Sequence, residues 1–67
     1  MRNQKLRKLR GDRSLHEMAK QIGIPYSTYA MIESGQRFPR QELRTKLAKH
    51  FGVSIYDLFF AQIDRVS

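Results

Sequence analysis

The chain contains no cysteine, which excludes disulfide bridges and thiolate metal sites. No apolar run approaches the ~20 residues needed to cross a bilayer. The basic N-terminus lacks the apolar stretch of a signal peptide, so a cytoplasmic chain is expected. Catalytic groupings are missing too. There is no Ser-His-Asp set, no phosphate-cradling glycine loop and no paired carboxylates at a working spacing. His16 and His50 are isolated, without a ligand partner three or four residues on, so neither a metal nor a cofactor is expected. A chain of 67 residues makes one domain (1–67, with a core over 3–60 and a tail over 61–67) and leaves no room for a large interdomain cleft. An enzyme is not expected.

Acidic residues are scarce. Six Asp and Glu face 13 Lys and Arg, for a net charge of +7. Such an excess repels itself in a folded domain, yet it suits a polyanionic partner, whose condensed counterions are released on binding. The charge is concentrated at the start, where Arg2, Lys5, Arg7, Lys8, Arg10 and Arg13 are opposed only by Asp12. A membrane surface fits less well, because no helix pairs a wide apolar face with a uniformly basic one.

What is present is helical period. Residues 3–10 place Leu6 and Leu9 on one face, and Gly11-Asp12 stops that helix. Ser14 occupies an N-cap position with Glu17 three residues on, the pattern of a capping box. Met18, Ala19 and Ile22 form the inward stripe of a second helix, Leu15–Ile22, and Gly23 ends it. A third helix, Tyr26–Ser34, turns Tyr29 and Ile32 inward and closes at Gly35. Ala19 leaves space for the third helix to cross the second. Two short helices joined by a tight turn make a helix-turn-helix, whose second helix can enter the DNA major groove. Pro39 makes residues 36–39 a loop. A fourth helix over residues 40–51 carries Leu43, Leu47, Ala48 and Phe51. Ser54, with Asp57 three residues later, caps a short fifth helix bearing Ile55, Leu58 and Phe59. The fold class is all-α, a compact five-helix domain.

With these pieces in place, residues 6–60 resemble the phage-repressor-like helix-turn-helix (XRE) family, whose domains are lambda-repressor-like. The resemblance rests on LRKLR, SLHEMAKQIGIPYSTYAMIESGQRFP, LRTKLAKHFGVS and YDLFF. It implies a transcriptional regulator, most often a repressor, that binds a palindromic operator on double-stranded DNA as a homodimer. The family's base-facing positions fall on Tyr26, Ser27, Ala30 and Met31. Its ion pair between the first helix and the ESG segment falls on Arg10 and Glu33. This chain departs from the family in three respects. Leu15 stands where Gln is common, Pro25 where the recognition helix usually has a Ser or Thr cap, and the link from Leu9 to Ser14 is short.

Among the outward residues of the third helix there is no Arg, Lys, Asn or Gln. Direct base readout is therefore expected to be thin, with Ser27 and Tyr26 hydrogen bonding and Ala30 and Met31 packing on thymine methyl groups. Phosphate contacts are expected from Ser14 and Thr28 at helix N-termini, and from Gln36, Arg37, Arg40 and Arg44 beyond the third helix. Arg10 or Arg13 would flank it on the near side. Tyr56, Phe59, Phe60 and Ile63 form the expected dimer surface. The alternative is that both phenylalanine rings close the bottom of the monomer core. A different reading, an antitoxin-type protein-interaction module of the same fold, needs a surface for a toxin or antagonist protein, and the Phe60 tail is the candidate.

Overall fold

The computed structural model describes residues 2–60. They form α1 (Gln4–Arg10), α2 (Leu15–Ile22), α3 (Tyr26–Ser34), α4 (Gln41–Phe51) and a terminal π-helical turn, Tyr56–Phe60. No strand occurs among the described residues. Ile63 and the rest of the expected tail lie outside them.

Local chemistry accounts for most of the boundaries. The Ser14 hydroxyl accepts from the Glu17 amide at 3.0 Å, satisfying one of the donors that a helix start leaves open. Ser54 does the same for the Asp57 amide at 3.0 Å. Gly23 has φ +91° and donates to the Ala19 carbonyl at 2.8 Å. This left-handed geometry disfavours any residue with a Cβ, and it bends the chain from α2 into α3 within three residues.

Two starts differ from the sequence expectation. Asn3 precedes α1 as its cap, its Oδ1 accepting from the Leu6 amide at 3.0 Å. Arg40 caps α4 without a side-chain hydrogen bond. The fifth helix also proves to be a single wide π turn. Its apolar spacing is helical, but spacing alone cannot distinguish this closure from an α-helical one.

The core comprises Leu6, Met18, Ala19, Ile22, Tyr29, Ile32, Leu47, Ala48, Leu58 and Phe59, with every helical element contributing. At about 25 cal/mol per Å² of apolar surface removed from water, this burial is the main stabilising term. Phe59 is in the core and Phe60 is exposed, so the two adjacent rings divide between the alternatives above.

Two interactions tie the helix-turn-helix to the rest of the chain. Arg10 grips Glu33 in bidentate fashion, Nε to Oε1 at 3.0 Å and Nη2 to Oε2 at 2.8 Å. Hydrogen bonding to Glu33 raises the Arg10 pKa above its ordinary value, so the guanidinium keeps its charge. Asn3 donates its backbone amide to the Glu33 carbonyl at 2.8 Å and its side-chain Nδ2 to the Leu58 carbonyl at 2.9 Å. One residue thereby joins α1, α3 and the terminal turn.

The Tyr29 hydroxyl is buried with no hydrogen-bond partner. Burial, and then the neighbouring Glu33, push its pKa above the ordinary tyrosine value. The native state thus holds this proton more tightly than the unfolded chain does. The associated stability is intact below the unfolded tyrosine pKa and fades as pH rises beyond about 10. Tyr29→Phe is expected to remove that alkaline loss and to cost less than about 1 kcal/mol at neutral pH, since it deletes an unpaired buried group. Thermal unfolding midpoints of both proteins across the alkaline range check this. Parallel pH curves would refute it.

Candidate nucleic-acid interface

α3 has a buried side and an open side. Tyr29, Ile32 and Glu33 are buried, which turns Tyr26 and Ser27 out to solvent, while Thr28, Ala30 and Met31 are half-buried. Tyr26 and Ala30, like Ser27 and Met31, are four apart and share one helix face. The residues expected to face bases therefore lie together on the open side. Ala30 also lines a depression shared with Arg2, Arg7 and Leu15, so Arg7 of α1 and Arg2 just before it border this face.

The start of α3 carries no side-chain cap, because Pro25 fixes φ at −62° but offers no acceptor. Its first amides keep the partial positive charge of a helix N-terminus. At the other end, the Gln36 and Arg37 amides both donate to the Met31 carbonyl, at 2.9 and 3.2 Å. Only their side chains remain to reach a polyanion. Both residues are exposed, as are Arg40 and Ser14. Ser14 uses its oxygen to cap α2, and its hydroxyl proton can still be donated.

Arg37 and Arg40 line one depression with Lys46, Glu42, Ile24 and Leu43. Lys46 was not among the sequence candidates. Its Nζ stands 3.6 Å from where a Cβ at Gly23 would lie, beside the turn between α2 and α3. It is six residues beyond Arg40 on α4, a separation with no local meaning until the helices pack.

Besides Arg10, two arginines are committed inside the molecule. Arg13 donates to the Leu9 and Arg10 carbonyls at 3.0 and 3.1 Å and to Gln21 Oε1 at 3.1 Å, closing the end of α1 and joining it to α2. Arg44 donates to the Pro39 carbonyl at 2.6 Å and lies over the Phe38 and Phe60 rings at 5.1 and 5.9 Å. Phe38 in turn meets Phe59 and Phe60 edge-on at 5.8 and 5.7 Å. Phe38, Tyr56 and Phe60 are exposed and form an aromatic surface, of which only the Tyr56 and Phe60 parts were expected. The signal for Phe38 was its place before Pro39, which holds the loop extended.

Among the described residues, no cluster of His, Asp or Glu could hold a metal ion, and no helix is long and apolar enough to cross a membrane.

A short helix presented by a glycine turn, with cations at both flanks, defines the class: a helix-turn-helix DNA-binding domain. The chain belongs to the phage-repressor-like (XRE) helix-turn-helix family, whose "Helix-turn-helix" model matches residues 4–58. It is 39% identical over 62 residues to an uncharacterized HTH-type transcriptional regulator of Methanocaldococcus jannaschii, covering 85% of this chain and 94% of that one. It is 42% identical over 60 residues to the cryptic phage CTXphi transcriptional repressor RstR of Vibrio cholerae, covering 87% of this chain and 54% of the repressor. The chain thus spans about half the length of that repressor. No solved structure matches. The family is one of DNA-binding transcriptional regulators, not of enzymes.

Proposed function

We propose that the protein is a sequence-specific transcriptional repressor that binds a palindromic operator as a homodimer, with α3 in the major groove. The observation that carries this reading is the open face of α3, where Tyr26, Ser27, Ala30 and Met31 stand together between two groups of cations. Ser27 and Tyr26 hydrogen bond to base edges, and Met31 and Ala30 pack on thymine methyl groups. Arg37, Arg40 and Gln36 grip phosphates beyond α3, Thr28 and Ser14 do so at helix starts, and Lys46 adds to the Arg37 group. Arg44 contributes mainly by holding the loop that carries Arg37. The aromatic surface of Tyr56, Phe60 and Phe38, supported from within by Phe59, forms the dimer contact. Its two-fold axis sets half-sites about 34 Å apart. The protein then works in the cytoplasm, where its DNA is.

Mobility shifts on the DNA flanking its own gene test this. Arg37→Ala is expected to weaken binding evenly across sequences and to lower the salt slope by about one. Ser27→Ala is expected to alter sequence preference instead. If neither variant changes binding, α3 does not enter the groove as described.

The exposed aromatic surface also supports a second reading, an antitoxin-type module that covers its Phe60 side with a toxin or antagonist protein. Co-purification of a second small protein, lost on Phe60→Ser, would favour it.

A further inference from the structure

The His16 and Tyr26 rings lie 3.9 Å apart and only 7° from parallel. His16 is the second residue of α2 and Tyr26 the first of α3. Both side chains are exposed, and neither belongs to the core. The stack therefore fills no gap in the packing. It bridges the start of α2 and the start of α3, at the N-terminal end of the helix proposed to enter the groove.

Tyr26 is the largest side chain on that face. Its backbone is set by Pro25, whose φ is −62°, and among the described residues its side chain makes no hydrogen bond and no ring contact besides this stack. An exposed tyrosine at a helix start would sample several rotamers and lose that freedom on docking. A parallel ring against one face selects one of them before DNA arrives. The Tyr26 hydroxyl then has a fixed position relative to Ser27 and Met31.

We infer that His16 is a positioning residue for DNA sequence readout, holding Tyr26 in its reading rotamer by ring stacking. The inference rests on Tyr26 facing bases. It assigns a function to a histidine that neither metal chemistry nor the core uses, and it gives a face poor in hydrogen-bonding side chains a preorganised reader.

The test uses the full chain and two readouts. The first is the NMR shift of the His16 ring protons in the free protein. These are expected upfield of an unstacked histidine, returning in Tyr26→Leu. The second is sequence preference, selected from a pool of random duplexes, for the wild type, His16→Ala, His16→Phe and Tyr26→Leu. His16→Ala is expected to relax preference at the same base steps as Tyr26→Leu and to weaken binding to the selected site several-fold. Its thermal midpoint is expected to stay near that of the wild type. His16→Phe, which keeps a stacking ring, is expected to restore preference. An absent ring-current shift overturns the proposal. So does a silent His16→Ala beside an active Tyr26→Leu, which leaves the base-facing role of Tyr26 standing. If His16→Phe fails to restore preference, His16 touches DNA itself and positioning is refuted. If Tyr26→Leu leaves preference unchanged, the base-facing reading falls and the positioning role falls with it.

Discussion

Glu33→Ala is expected to destabilise the domain by about 3 kcal/mol, the low end of the range for breaking a buried ion pair. Side-chain exposures of 18% for Arg10 and 10% for Glu33 leave some solvent at the site, which argues for the low end. Three features raise the loss above that of a surface pair. The contact is bidentate, it joins residues 23 apart in sequence, and the Arg10 Nη1 is already held by the Arg13 carbonyl at 2.7 Å. Alanine at position 33 thus strands a guanidinium that cannot easily swing into water. A domain of this size has roughly 5 kcal/mol to lose, so more than half its stability would go. The double variant Arg10→Met, Glu33→Leu is expected to recover most of it, because apolar replacement of both partners is often neutral. Urea unfolding followed by circular dichroism measures all three proteins. If the double variant is no more stable than Glu33→Ala, the loss comes from packing around position 33 and not from a stranded charge.

Asn3→Ala is the second large effect, expected at about 2 kcal/mol. Losing the cap on the Leu6 amide accounts for about 1 kcal/mol, and losing the Nδ2 bond to the Leu58 carbonyl for about 1 kcal/mol more. Asn3→Asp separates the two. A carboxylate still accepts from Leu6 but cannot donate to Leu58, so its stability should fall between the wild type and Asn3→Ala. Equal stability of Asn3→Asp and wild type would mean that the link to the terminal turn contributes nothing.

Sequence patterns revealed those parts of the fold whose causes are local. A cap acts over three residues, so Ser14 with Glu17 and Ser54 with Asp57 marked their helices. A left-handed turn sits on one residue, so Gly23 and Gly35 marked theirs. The inward stripe of Tyr29 and Ile32 followed from helical period, and the Arg10–Glu33 pair came from family resemblance. Long-range partnerships were hidden. Asn3 read as an ordinary first helical residue because its partner is Leu58. Arg13 read as a surface cation because the carbonyls it closes become available only when α1 ends where it does. The same holds at the interface. The open face of α3 was legible because its buried face was. The approach of Lys46 to the turn, the Arg44–Phe38–Phe60 cluster and the His16–Tyr26 stack depend on how α4, the loop and α2 settle against it.

The Asn3–Leu58 bond spans 55 positions, whereas α2 and α3 meet across three. Closing a long stretch of chain costs more entropy than closing a short one, and that cost falls before the contact can repay it. The helix pair over residues 15–34 is therefore expected to gather early in folding, and the seam between the start of α1 and the terminal turn to close late. In the native state that seam is expected to be the first to part. Amide hydrogens at Leu6 and Asp57 should exchange with solvent sooner than those of Tyr29 and Ile32, so α3 would stay folded while the seam between the start of α1 and the terminal turn breathes.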